Sequence, residues 1–218
     1  MFERQDCYTL REQSKLFDAS VGVIGVGGTG GFVAEALARS GVGQIKIVDG
    51  DVFEHSNLNR QIGATRDTLG LAKAEVIANR VRSINPHAQV TALPYYLCAE
   101  NMEEVFQGVD VVSECVDGKE NKLAIAALIE QAGLPYVTGG AGGYAAGTAF
   151  VTDYAYGRSL FTPPEDPTFL SPNVTTLMAL AAIYAQKLID FITGRDPQPN
   201  NSMRIVLDFP KINMRKPA

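Results

Sequence analysis

The run Ser20-Val21-Gly22-Val23-Ile24 breaks into Gly25-Val26-Gly27-Gly28-Thr29-Gly30 and then into a segment of helical period, Thr29 to Ser40. Glycine at 25 permits a tight strand-to-helix turn, Gly27 lets another group come close to the backbone, and Gly30 lets the helix pack closely on the strand. Gln44 to Val48 is the next β-branched run, set off from the helix by Gly41 and Gly43. Strand, crossing helix and strand in that order give a parallel pair, the opening unit of an α/β sheet.

The alternation continues along the chain. Leu71, Ala74, Ile77, Ala78 and Val81 recur at helical spacing over Gly70 to Ile84, which predicts an amphipathic helix with that stripe in the core, stopped by Asn85-Pro86. Strands are expected at Ala88 to Ala92, Val109 to Ser113 and Pro135 to Thr138, with helices at Glu100 to Gln107 and Lys119 to Ala132. After the glycine-rich stretch 139–143, the alternating run Thr148 to Thr152 suggests a change of strand direction. Asp153 to Asn173 has no periodicity and holds Pro163, Pro164, Pro167 and Pro172, the signature of a long crossing loop. A long apolar helix, Val174 to Thr193, and a strand, Met203 to Leu207, precede a tail, Lys211 to Ala218, expected to fray. The fold class is therefore α/β: a Rossmann-like, doubly wound, largely parallel sheet with antiparallel C-terminal strands and helices on both faces.

Composition bounds the partners. With 218 residues, 46% of them hydrophobic, the chain can close one substantial core, and a single domain over 1–218 is expected. A formal net charge of −5 offers no general attraction to nucleic-acid backbones. Met1-Phe2-Glu3-Arg4-Gln5-Asp6 has no basic or apolar leader, and no run is read as approaching the roughly 20 apolar residues of a membrane span, so a cytoplasmic protein is expected. Cys7, Cys98 and Cys115 lie far apart without a Cys-x-x-Cys pair, and only His55 and His87 could join them. Neither a disulfide framework nor a zinc site is expected.

The chemistry concentrates after the second strand. Asp49 ends it, where a carboxylate accepts hydrogen bonds from ribose hydroxyls, and the helix after the glycine turn offers N–H groups to a phosphate. Together these indicate an adenosine nucleotide. Ser56-Asn57-Leu58-Asn59-Arg60-Gln61 then packs in polar groups that a hydride-transfer fold has no need for. Arg60 offers a planar fork suited to phosphate oxygens, and Lys73, at the start of a helix, a mobile point charge for the same anion. A solvated turn would also explain Asn59, and a solvated helix face Lys73 alone. Asp117 follows a strand at the carboxyl edge of the sheet, where parallel folds bind ligands, and can hold Mg²⁺ together with substrate phosphates. Its plain alternative is a cap for the helix from Lys119.

The joint set Gly25-x-Gly27-x-x-Gly30, Asp49-x-Asp51, Ser56-Asn57-Leu58-Asn59-Arg60-Gln61, Gly70-x-x-Lys73, Ile84-Asn85-Pro86 and Cys115-x-Asp117 resembles the ThiF/MoeB/HesA family, bacterial relatives of the ubiquitin-activating enzymes. The resemblance runs from Arg4 to Gly194. It implies adenylation of a carboxylate with MgATP, commonly the Gly-Gly tail of a ubiquitin-like sulfur-carrier protein, with release of pyrophosphate. It further implies that Gly25, Gly27, Gly28, Gly30, Asp49 and Asp51 line the nucleotide, with Asp49 on the ribose. Arg60 and Lys73 would bind the phosphates, Asn57 and Gln61 the triphosphate region, and Asp117 the Mg²⁺. Arg4-Gln5 is similar to an N-terminal Arg-Gln whose Arg reaches into the neighbouring subunit's nucleotide site, which implies a homodimer.

Two features depart from that family. Many members carry two Cys-x-x-Cys zinc pairs, and some a Cys in the crossing loop that forms a thioester or persulfide. Here 153–173 has no Cys, Ser159 standing near the expected place, so neither zinc nor a covalent carrier intermediate is expected. Gly118 stands where relatives often have Asn. Within the same chemistry, Asn59-Arg60-Gln61-Ile62, Gly70-Leu71-Ala72-Lys73-Ala74-Glu75 and Thr138-Gly139-Gly140-Ala141-Gly142-Gly143 also resemble tRNA threonylcarbamoyladenosine dehydratases, which activate a carboxylate on a tRNA nucleoside. An NAD-dependent oxidoreductase is the reading from another class, with His55 the nearby candidate proton donor.

Overall fold

The computed structural model describes residues 5–143, 145–160 and 172–206. β1 (Ser20–Ile24) is buried at every position. It pairs in parallel with β2 (Gln44–Val48) on one side and β4 (Val111–Glu114) on the other. β3 (Gln89–Leu93) lies outside β2 and β5 (Tyr136–Gly142) outside β4, both parallel, while β6 (Ala145–Val151) and β7 (Ser202–Val206) run antiparallel. The order β3-β2-β1-β4-β5-β6-β7 puts the change of winding direction between β1 and β4. The crevice outside the carboxyl ends at that point is where open α/β sheets bind ligands.

Alternation along each strand divides the core in two. Val21, Val23, Ile45 and Ile47 point to one face, where they meet Val33 and Leu37 of α2 (Gly30–Ser40), Ile77 and Val81 of α3 (Lys73–Ile84), and Leu180, Tyr184 and Leu188 of α7 (Val174–Thr193). Ile24, Val48 and Val112 point to the other, against Val105 and Phe106 of α4 (Met102–Phe106) and Ile125 and Ile129 of α5 (Lys119–Gln131). The expected doubly wound sheet with antiparallel C-terminal strands is thus the observed one.

Differences from the expected elements have local causes. α1 (Leu10–Asp18) was not anticipated, although Thr9 and Glu12 form a reciprocal capping box at its start. Leu71 is 51% exposed and outside the core stripe. Gly70 turns there at φ +80°, Ala72 bridges to Val52, and α3 begins only at Lys73. The glycines at 139, 140 and 142 extend β5 past the expected end at Thr138: a Cβ at Gly139 would lie 2.0 Å from the Gly147 carbonyl oxygen, so the two strands approach too closely for a side chain. Part of the expected crossing loop is helix, α6 (Tyr154–Ser159), and 161–171 fall outside the described residues, as do Arg4 and the tail 207–218. By length and composition α7 would also suit a membrane span, but its apolar stripe packs against α2 and the sheet.

Candidate active site

Gly25 and Gly30 of the β1–α2 turn stand where only glycine fits. Gly25 has φ +84° and donates its N–H to the Val48 carbonyl at 2.8 Å. A Cβ on Gly30 would lie 1.9 Å from the Gly25 carbonyl oxygen, and one on Gly28 would lie 2.7 Å from Cδ1 of Leu177. Above Gly27 lies the Gln61 amide, whose Nε2 would be 3.4 Å from an added Cβ. Among the described residues Thr29 makes no side-chain cap, so no capping side chain satisfies the first N–H groups of α2.

Asp49 is locked in place at the end of β2. Its Oδ2 accepts from the Val26 N–H at 2.8 Å and its Oδ1 from the Asp51 N–H at 2.9 Å. Burial pushes its pKa up, against these two bonds and nearby Lys73. The carboxylate keeps lone pairs for further donors such as ribose hydroxyls. Asp51 instead faces Lys73: Nζ donates to Oδ2 at 2.9 Å, and the Tyr96 hydroxyl donates to Oδ1. Burial acts upward on Asp51 as well, yet these two bonds hold it below its ordinary range. The Tyr96 ring lies on Gly50, where a Cβ would be 2.8 Å from three ring carbons.

The polar cluster divides between structure and site. Asn57 is buried and folds its own turn: its Oδ1 accepts from the Glu54 N–H at 3.0 Å and its Nδ2 donates to Ser56 Oγ at 3.3 Å. Arg60 donates from Nη1 to the Ser56 carbonyl at 2.9 Å and to Asn59 Oδ1 at 3.0 Å, bonds that stay within the same loop. Gln61 is buried, and its Oε1 has no hydrogen-bond partner among the described residues. A buried acceptor without a partner costs about 1–3 kcal/mol, so a donor brought by a ligand would relieve it.

Asp117 is exposed on the loop after β4. Its Oδ1 accepts from the Gly118 N–H at 2.9 Å, and Asn121 Nδ2 donates to its carbonyl at 2.9 Å. Gly118 has φ +82°, which accounts for glycine there. No cluster of three or more metal-ligating side chains occurs among the described residues. A single exposed carboxylate fits Mg²⁺, which completes its shell with phosphate oxygens and water.

The fold therefore brings the glycine turn, Asp49 and Gln61 together at the switch point, with the Lys73–Asp51 pair beside Asp49. The loop carrying Asp117 passes the same turn, since a Cβ on Gly25 would lie 3.0 Å from the Cys115 carbonyl. Among the described residues, the bonds of Arg60 do not join it to Lys73 or Asp49. Sequence reasoning missed Tyr96, and it missed the buried Glu114 with its partners Lys122 and Thr138. A carboxylate closing an apolar strand just before Cys115-Val116-Asp117 was the available signal for Glu114.

The ThiF family profile matches residues 4–218. Over 141 residues the chain is 43% identical to the tRNA threonylcarbamoyladenosine dehydratase of Escherichia coli (strain K12), a match covering 63% of this chain and 53% of that protein. It is 31% identical over 197 residues to the sulfur carrier protein ThiS adenylyltransferase of the same organism, covering 86% and 78%. The E. coli tRNA N6-threonylcarbamoyladenosine dehydratase crystallised with ATP superposes with a TM-score of 0.73 at 28% identity, over 86% of this chain and 91% of that one. The chain spans about half the length of the curated dehydratases it matches. Sheet order, glycine turn and a match over nearly the whole chain lead to one conclusion: the chain belongs to the ThiF family.

Proposed function

We propose that this protein adenylates a carboxylate with MgATP and releases pyrophosphate. The observation that carries the reading is a buried cation, Lys73, lying beside a buried carboxylate, Asp49, that the β1–α2 turn holds rigid. Ribose and phosphate are the two parts of a nucleotide that such a pair suits. The relatives support it, since one is an adenylyltransferase and another was crystallised with ATP.

A carboxylate oxygen of the substrate attacks the α-phosphorus, a new P–O bond forms, and the bond to the β-phosphate oxygen breaks. Negative charge grows on the α-phosphoryl oxygens and on departing pyrophosphate. Fixed cations there stabilise the transition state more than the ground state, and no protein nucleophile is needed. Asp49 accepts from ribose hydroxyls, the α2 N-terminus and the Gln61 Nε2 over Gly27 donate to the phosphates, and Lys73 exchanges Asp51 for a phosphate oxygen. Arg60 swings from the Ser56 carbonyl to the same anion. Asp117 would hold Mg²⁺, which neutralises phosphate charge when bound.

The substrate we favour is the C-terminal Gly-Gly carboxylate of a ubiquitin-like sulfur-carrier protein. The match to the ThiS adenylyltransferase covers most of both chains, and the net charge of −5 disfavours a polyanion. The 43% identity with a tRNA-modifying dehydratase supports a second reading, a carboxylate on a tRNA nucleoside. ATP–pyrophosphate exchange decides: stimulation by a Gly-Gly-terminated protein and not by tRNA supports the first, and the reverse supports the second. Thermal stabilisation by NAD with indifference to MgATP would overturn both. A homodimer in which Arg4 serves the partner's site is part of the proposal, as is a single domain over 1–218. So is a cytoplasmic location, which the unpaired thiols of Cys7, Cys98 and Cys115 suit.

A further inference from the structure

Among the described residues, Asp117 bonds directly only within its own loop and the first turn of α5, and the loop is fixed against the sheet by other groups. Glu114 is one of them. It ends β4 with 0% exposure, and Oε1 accepts from the Val116 N–H at 2.8 Å. Lys122 of α5 donates to both carboxylate oxygens at 3.1 Å, and Thr138 of β5 donates to Oε2 at 2.5 Å. One carboxylate thus ties the residue next to Asp117 to a helix and to the neighbouring strand. On the other side, the Cys115 N–H holds the loop to the Ile24 carbonyl at 2.8 Å.

A buried ion pair recovers its desolvation cost only when further hydrogen bonds complete it, and well-packed apolar residues usually do as well for stability alone. Here the Val116 N–H brings the loop that carries Asp117 onto the same carboxylate that Lys122 of α5 and Thr138 of β5 hold. We propose that Glu114, completed by Lys122 and Thr138, is a positioning residue that holds Asp117 where it meets a divalent cation on the nucleotide phosphates. The inference rests on the adenylation reading above. Partners that orient metal-binding carboxylates from behind typically contribute 10–100-fold in metal affinity.

The test is a double-mutant cycle on the full chain with Glu114→Gln and Asp117→Asn, read by calorimetric titration with ATP in the presence and absence of Mg²⁺. Glu114→Gln is expected to weaken binding with Mg²⁺ by roughly tenfold and binding without Mg²⁺ by less than about twofold, and to add nothing once Asp117 is Asn. Thr138→Val, which leaves the ion pair in place, should shift the same ratio by about two- to threefold and serves if Glu114→Gln does not fold. Equal losses with and without Mg²⁺, or effects that add fully to Asp117→Asn, would mean that Glu114 serves only stability. Wild-type protein that binds no ATP would overturn the adenylation reading and this inference with it; ATP binding with additive effects overturns this inference alone.

Discussion

Lys73 and Asp51 are joined twice, once by the ammonium on Oδ2 at 2.9 Å and once by the Lys73 N–H on the Asp51 carbonyl at 2.9 Å. The backbone bond fixes where α3 begins; the side-chain bond sets where the cation waits. Asp51 is 48% exposed, so solvent screens the pair, and such pairs contribute at most about 1 kcal/mol. An incoming phosphate can therefore take the ammonium without disturbing the backbone. Lys73→Ala and Arg60→Ala should each keep the far-ultraviolet circular dichroism of the wild type. Each should lower kcat/KM for ATP in pyrophosphate exchange by the equivalent of about 2–4 kcal/mol, the usual contribution of a preorganised charge-stabilising group. Wild-type rates in both would remove them from the reaction.

Two glycines of one turn should respond in opposite ways to the same substitution. Gly30→Ala puts a methyl 1.9 Å from the Gly25 carbonyl oxygen, a backbone atom that cannot move without opening the turn. It should cost about 3 kcal/mol or more, read as a lowered denaturation midpoint or loss of soluble protein. Gly27→Ala meets only the Gln61 amide at 3.4 Å and should fold. Its methyl occupies the space over which a phosphate would pass, so ATP affinity should drop about tenfold, or about 1.4 kcal/mol, in calorimetric titration. Undiminished affinity in Gly27→Ala would move the phosphates away from this turn.

Most of the sheet could be read from the sequence because its signals are local: β1 and β2 are short runs rich in Val and Ile, and glycines mark the turns that follow and precede them. What escaped depends on partners distant along the chain. Gly139 and Gly140 fall past the expected strand end until β6 is laid against them, and Leu71 fits a helical stripe until the Val52–Ala72 bridge delays the helix. Within the site, Asp49 and Lys73 announced themselves by spacing. Tyr96 reaches Asp51 from the far end of β3, and Lys122 reaches Glu114 from the next helix, relationships that no short motif contains.

Cys115 should be chemically silent in the native protein. Burial pushes its thiol from 9.0 up to about 12, against a hydrogen bond with Ser113. At pH 8 the native thiolate is then about a thousandfold scarcer than that of an ordinary thiol, at tenfold per pH unit. Iodoacetamide at pH 8 should label exposed Cys7 quickly and Cys115 only after denaturant is added. The raised native value also means that stability present below pH 9 is lost progressively toward pH 12, because only the unfolded thiol ionises in that interval. Labelling of Cys115 at the rate of Cys7 would contradict its closed surroundings against the glycine turn.

Glu12 supplies the acid counterpart. Arg195 donates from Nε to Oε1 at 2.8 Å, while the Thr9 N–H and hydroxyl donate to Oε2 at 2.8 and 2.9 Å. The Arg195 bond foremost, then those from Thr9, lower the carboxyl from 4.5 to about 2. A native value below the unfolded one contributes stability above about pH 4.5, and that contribution is lost as pH falls toward 2. The pair lies at the surface, so the effect is modest and screened by salt. Arg195 also donates from Nη2 to the Cys7 carbonyl at 2.9 Å and covers the Tyr8 ring, contacts that do not titrate in this range. The melting-temperature gap between wild type and Arg195→Ala should therefore be widest near pH 7 and shrink, without closing, as pH is lowered to about 2.5 in dilute salt. In a Glu12→Gln background the gap should depend on pH only weakly, through the field of Asp190 on Arg195. A gap in the wild-type background that stays constant over the whole range would assign the anchoring of α1 to the carbonyl and ring contacts and leave the carboxylate without a part in it.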